Sequence, residues 1–226
     1  MMSGTGRSDK TGAFTIATDN EQESATLAAV FYQPSADSLS LGSGSGAITF
    51  LYRDDSGLDA RKTFTFGGNG RPFLVNVEAS VTAGGAPRPV TVRFGPAIGP
   101  GHAVGGGTFT APRAFQMRAG EVERLNAASL QTQSRYEGAI QYAGVDDHYF
   151  LSAALLPAGE AIVEYQPITM PIPGNAQGAS RTLVAYALRP KQATPAAVSV
   201  PFFIGPKDFD TLRAADKQLV YAIDFG

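Results

Sequence analysis

The sequence predicts an all-β protein, a large twisted antiparallel β-sandwich closed by one or two short C-terminal helices. Three observations carry the prediction. Charged residues are only 17% of the 226 while Gly (26) and Pro (15) are abundant, the composition of many turns joining short strands. Apolar residues recur with a period near two through most of the chain, the pattern of strands with one buried face. No strand–helix–strand alternation appears, which argues against a parallel sheet.

Taken in order, Ser3 to Gly12 is polar and expected to be disordered. "GAFTIAT" and "LAAVFYQ" read as the opening strands, with the acidic "DNEQES" between them as a solvated turn. A Ser/Gly-rich loop, "PSADSLSLGSGSG", follows. "AITFLY" and "ARKTFTF" then form a hairpin through Asp54-Asp55-Ser56-Gly57. The most regular strand is "PFLVNVEASVT", with Phe73, Val75, Val77, Ala79 and Val81 on one face and Asn76, Glu78, Ser80 and Thr82 on the other. "PVTVRF" repeats the alternation, and the intervening "AGGAPR" is expected to close a hairpin between the two. Further strands are expected in "GTFTAPRAF", "EVERLN", "EGAIQYA", "HYFLSAALL", "AIVEYQP", "TLVAYALR" and "AVSVPFFI". That makes about thirteen strands at sandwich spacing.

After Gly205-Pro206 the period changes to that of a helix. Phe209, Leu212, Leu219, Val220 and Ile223 fall in one sector of a helical wheel. Asp216 lies inside that sector, so two short helices are predicted, capped by Asp208 and Asp216. The expected organisation is a tail over residues 1–12, a sandwich over 13–204 and a helical segment over 205–226.

Composition narrows the function. A net charge of −2 without a basic block offers nothing to nucleic acid or to anionic lipid. Zero cysteines excludes disulfides, thiolate metal sites and thiol nucleophiles. No apolar run approaches the roughly 18 residues that span a bilayer. The Gly-rich "FGPAIGPGHAVGGG" lacks the Lys-Ser/Thr ending of a phosphate loop and reads as a connection. In "VDDHYF", Asp146, Asp147 and His148 offer metal-ligating or acid/base chemistry, but adjacent strand residues point to opposite faces. His102, in the Gly-rich loop, reads as solvated, and two histidines cannot build a three-His zinc site. No cofactor is expected.

"FFIGPKDFDTLRAADKQLVYAIDFG", "FGPAIGPG" (Phe94 to Gly101) and "YEGAIQYAGVDDHYFLSAALLP" (Tyr136 to Pro157) resemble, in the same order, the large periplasmic domain of bacterial YidC-type membrane protein insertases. Upstream of about Phe64 no such stretch is visible. The resemblance implies a sandwich like that of galactose mutarotases, with Gly95, Pro96 and Gly99 as turn residues and Tyr149 and Phe150 packed in a structural strand. It also implies a periplasmic domain of an inner-membrane protein, non-catalytic, without cofactor and monomeric as a fragment. Its expected partners are Sec translocon components, nascent membrane proteins, and the membrane through transmembrane helices beyond this chain. The candidate membrane-proximal or partner-contact surface is Phe209, Leu212, Leu219, Val220, Tyr221, Ile223 and Phe225, with Tyr221 and Phe225 suited to the headgroup level. An alternative is a carbohydrate-binding or aldose-epimerase-like protein using His148 or His102 on a concave sheet. A third is a β domain that only stabilises its parent.

Overall fold

The computed structural model describes residues 12–41, 44–67, 71, 73–95, 112–156, 160–171, 180–191 and 197–224. In chain order these hold β1 (Thr15–Ala17), α1 (Glu21–Ala29), β2 (Gln33–Pro34), β3 (Gly46–Arg53), β4 (Leu58–Phe66) and β5 (Leu74–Ala83). Next come β6 (Ala86–Arg88), β7 (Thr91–Phe94), β8 (Arg113–Arg118), β9 (Glu121–Leu125) and α2 (Ala127–Thr132). The chain continues with β10 (Arg135–Asp146), β11 (Phe150–Leu155), β12 (Glu160–Pro171), β13 (Ser180–Pro190) and β14 (Val198–Pro206). It closes with α3 (Phe209–Ala215) and a 3-10 helix, Leu219–Ala222.

All described pairings are antiparallel, in the order β1-β7-β13-β12-β10-β11-β14-β5-β4-β3-β2, with β6 beside β5 and the β8–β9 hairpin beside β10. Strand β10 is the corner that turns this path into two layers. Its first half, Arg135–Ala139, pairs β12; its second half, Ile140–Asp146, lies between β8 and β11. The change occurs beside Gly138, at φ +124, and a register shift between Ile140 and Tyr142. A bulge of this kind bends a strand and increases its local twist.

Ile16, Val92, Phe94, Val163, Tyr165, Tyr186 and Leu188 meet Val75, Val77, Val81, Val145, Val200 and Phe202 between the layers. Phe14 touches the rings of Phe64, Phe94 and Phe202 edge-on at 5.3, 5.4 and 5.0 Å. The outer face of the second layer carries a separate core of Phe115, Met117, Tyr142, Leu151, Ala153, Leu155 and Phe203, roofed by Leu212, Ala215, Leu219 and Ala222. The middle of β8, the second half of β10, most of β11 and the Phe202-Phe203 stretch of β14 are therefore buried on both faces.

Several expectations change. "AGGAPR" does not join β5 and "PVTVRF" in a hairpin: β5 turns back into β6 at Gly84-Gly85, and β7 lies between β1 and β13 in the other layer. "LAAVFYQ" is not a strand: Leu27 to Ala29 end α1, whose N-cap Asn20 accepts bonds from the amides of Gln22 and Glu23. The acidic run is accordingly the first turn of a helix, where its carboxylates oppose the helix dipole. Helix α2 was not anticipated either; Asn126 caps it through Ser129 N and only Leu130 is buried. Phe73 does not share the buried face of Val75, Val77, Ala79 and Val81. It precedes β5 at φ +65, half-exposed, with its ring 6.2 Å from Phe203. Tyr149 and Phe150 are also exposed rather than packed. The turn at Asp54 forms as expected, its carboxylate accepting from the amides of Ser56 and Leu58.

Candidate functional site

The C-terminal segment starts where β14 ends. Asp208 accepts from Thr211 N at 2.9 Å and from the Thr211 hydroxyl at 2.7 Å, which starts α3 and holds the Asp208 carboxyl below the usual carboxylate range. Helix α3 spans seven residues, too short to persist alone; its stability comes from Leu212, fully buried against the sheet. Asp216 does not cap the second helix as expected. The 3-10 helix has Gln218 at its N-cap position with no side-chain bond, and Asp216 accepts from Gln218 N at 2.8 Å, two residues early.

This packing divides the candidate surface. Leu212 and Leu219 are 0% exposed and belong to the core, so neither can meet a partner. Val220 and Ile223 are half-buried against the same cluster. Phe209 and Tyr221 remain exposed, at 47% and 59%. Phe225 lies outside the described residues, as do Pro96, Gly99 and His102. Gly95 is described at φ +146, where a Cβ would come within 2.5 Å of Ala185 Cβ, so its place depends on a close backbone approach.

A chain of charges fastens the segment to the sheet. From β9, Arg124 Nη2 donates to the carbonyls of Tyr221, Ala222 and Ile223 at 3.3, 3.3 and 3.1 Å. These are the unpaired carbonyls at a helix end, where a cation is favoured. Asp224 accepts from Arg113 Nη2 at 2.8 Å and lies 3.7 Å from Arg124 Nε. Arg113 in turn reaches Asp146 at 3.5 Å, and Lys207 Nζ donates to Asp146 at 3.0 Å. Burial pushes the Asp146 carboxyl above its ordinary range, opposed by Lys207 and Arg113.

The three residues of the "VDDHYF" cluster thus have separate surroundings. Asp146 is buried among cations, Asp147 accepts from the amides of Tyr149 and Phe150 at 2.8 and 2.7 Å, and His148 is exposed with its ring 4.5 Å from that of Tyr149. Among the described residues no group of His, Asp and Glu could hold a metal ion, and no helix is long and apolar enough to cross a membrane. Sequence reasoning missed Arg113, Arg124, Lys207 and Asp224. Asp224 just after the apolar stripe was the available hint; the arginines sit at strand positions that read as ordinary surface.

The family model of the YidC periplasmic domain matches residues 1–226. The chain belongs to the YidC periplasmic domain family. The match also runs through the region before Phe64, where no family-specific stretch was visible in the sequence. Membrane protein insertase YidC of Anaeromyxobacter dehalogenans strain 2CP-1 is 33% identical over 187 residues, 80% of this chain and 32% of its own length. Membrane protein insertase YidC of Geobacter sulfurreducens is 28% identical over 205 residues, 86% of this chain and 36% of its own. The chain therefore spans about a third of the length of the curated YidC relatives it matches. It is a periplasmic domain of an inner-membrane protein.

Proposed function

We propose that this domain is a non-catalytic interaction and orienting module of a membrane protein insertase. Residues 205–226 would carry it toward a lipid-embedded continuation of the same polypeptide. The observation that supports this reading is the grip of Arg124 on three successive carbonyls, Tyr221 to Ile223. Together with buried Leu212 and Leu219, it joins the end of the described chain to the second layer as one body. A flexible tether would need none of these contacts; a segment that sets the angle between a sheet and a membrane helix needs them all. On this reading the exposed Phe209 and Tyr221 contact lipid, a Sec translocon component or a nascent membrane protein.

The test is a photo-crosslinking amino acid at Tyr221 in the parent protein within native membranes. Adducts to lipid, to a translocon component or to a nascent membrane protein are expected. If position 221 yields none of these, or only water-soluble periplasmic proteins, the reading is wrong.

A further inference from the structure

The large apolar and aromatic side chains exposed among the described residues fall into two groups. Phe31, Leu39, Leu41 and Leu51 follow the β2–β3 edge, whereas Phe73, Tyr149, Phe150, Phe209 and Tyr221 lie elsewhere. Backbone pairing draws four of the second group to one end of the second layer. Phe73 O accepts from Ile204 N at 2.9 Å, Phe150 stands opposite Pro206, and Tyr149 O accepts from Lys207 N at 2.8 Å. Phe209 follows two residues later. Neighbouring strands are about 4.8 Å apart, so the ends of β5, β14 and β11 and the first turn of α3 bring these rings to one rim. The clamp at Asp146, Arg113 and Asp224 begins at the same end, because Asp146 is the last residue of β10 before the turn that carries Tyr149.

The rim has the chemistry of an interfacial surface. Phe73 is held in a backbone conformation that side-chain-bearing residues rarely adopt, and a Cβ at Gly205 would lie 2.7 Å from its ring. Glycine at 205 therefore makes room for the ring at the sheet end. Tyr149 joins an apolar body to a polar tip, the kind of side chain enriched where hydrocarbon gives way to water. Of the cations beside these residues, Lys207 is engaged by Asp146, Arg213 lies 5.9 Å over the Phe209 ring and Arg71 is exposed two residues before Phe73, while the net charge of the chain is −2. Attraction to a bilayer would come from the rings rather than from charge.

We propose that Phe73, Tyr149, Phe150 and Phe209 form an aromatic rim that rests in the headgroup layer of the bilayer anchoring the parent protein. The proposal rests on the reading of residues 205–226 as membrane-proximal, and extends the contact to three strand ends distant in sequence. It sets the face of the sandwich that lies on the membrane. The β3–β4 end then points away, since Leu51 aligns through Arg61 with Ser80, seven residues along β5 from Phe73, or about 23 Å at 3.3 Å per residue.

The chain has no cysteine, so single nitroxide labels can be placed in a cysteine-free parent reconstituted in phosphatidylethanolamine/phosphatidylglycerol vesicles. Labels replace Tyr149, Phe209, Tyr221 and, as the exposed apolar control at the other end, Leu51. The ratio of relaxation by oxygen to relaxation by a water-soluble nickel chelate should be clearly higher at positions 149 and 209 than at position 51. The pattern should survive about 1 M salt, where screening is nearly complete. If position 221 reports lipid while 149 and 209 behave like 51, the rim is refuted and the proposed function stands. If 221 also behaves like 51, both fall. Shielding of 149 and 209 from both reagents that grows with the protein-to-lipid ratio would mean that a second copy covers the rim, which also overturns the proposal.

Discussion

The core between the two layers and the core beneath the C-terminal helices share strands but are closed by different means. In β10, Ala143 and Val145 face the first and Tyr142 the second; in β14, Phe202 faces the first and Phe203 the second. The inner core is closed by sheet on both sides, and each wall is held by a continuous ladder of backbone bonds. The outer core has a ladder on one side only. Its roof is a seven-residue helix and a four-residue 3-10 helix, which bond little to the sheet through their backbones. Side chains supply the missing attachment: apolar contacts from Leu212 and Leu219, and the series Lys207, Asp146, Arg113, Asp224 and Arg124 around the margin. The difference teaches that the roof can loosen without the sandwich, and that the two cores answer to different perturbations.

The largest expected effect joins the two cores. At Gly144 a Cβ would lie 2.0 Å from Ser152 O and 2.8 Å from Ala153 Cα, both backbone atoms of β11. Gly144→Ala forces apart the strands that both cores share, and should cost about 4 kcal/mol or more, the range of a severe backbone clash. Urea unfolding followed by circular dichroism measures it, and a loss below about 1 kcal/mol would mean that the β10–β11 contact yields easily.

Next come paired truncations. Phe202→Ala should lower global stability by about 3–5 kcal/mol and Leu212→Ala by about 2–5 kcal/mol locally. With Leu212→Ala, proteolysis within residues 205–224 should precede unfolding of the sandwich. A single shared transition with equal midpoint shifts for both variants would show that the cores are one cooperative unit. Arg124→Ala leaves three carbonyls without their charged donor, a loss of about 1–3 kcal/mol. Amide exchange should accelerate over Leu219–Ile223 and stay unchanged at Val77 and Val200.

The two regions also respond to pH in opposite senses. Lys62, on the buried side of β4 with its Nζ 3.8 Å over the Tyr32 ring, is pushed down by burial to about 8 from 10.5. Between those values the unfolded chain holds a proton that the folded chain has released, so sandwich stability rises with pH across that window. Lys62→Met should remove the rise. In the roof, Asp146 sits above the ordinary carboxylate range because it is buried. There the folded state holds the extra proton, so stability falls as pH climbs from the ordinary value through the raised one. Asp146→Asn should flatten that fall in denaturation curves taken from pH about 3 to 7. A fall that persists in the variant would assign it to another carboxyl. The smallest effect is at exposed Asp208, whose lowered carboxyl stabilises the cap above the ordinary value and loses it as pH drops through the folded one. Asp208→Ala should fray α3 in amide exchange at neutral pH and make no difference in acid.

Local patterns were legible wherever one face of an element is buried. The alternation from Val75 to Val81 and from Val198 to Ile204 marked β5 and β14, and Asp208 marked the start of α3. The adjacent pair Phe202-Phe203 also signals a strand covered on both sides, once the second covering layer is known. Helices α1 and α2 were less legible because each buries a single residue, Leu27 and Leu130, and so leaves no apolar stripe to read. The candidate surface was half legible. The apolar stripe was seen, but its division into buried Leu212 and Leu219 and exposed Phe209 and Tyr221 depends on which side the sheet occupies.

By itself the sequence determined strand content, turn positions, the change to helical period after Pro206 and the resemblance to the insertase family. Each of these depends on residues a few positions apart, or on motifs carried whole. The tertiary structure alone decided that Arg113 meets Asp224, Arg124 meets Tyr221 to Ile223, and Phe73 joins Tyr149 and Phe209 at one rim. Those partners lie about a hundred residues apart, 111 for Arg113 and Asp224. Such distances along the chain are closed only by the order of the strands and the bend in β10, which no local periodicity records.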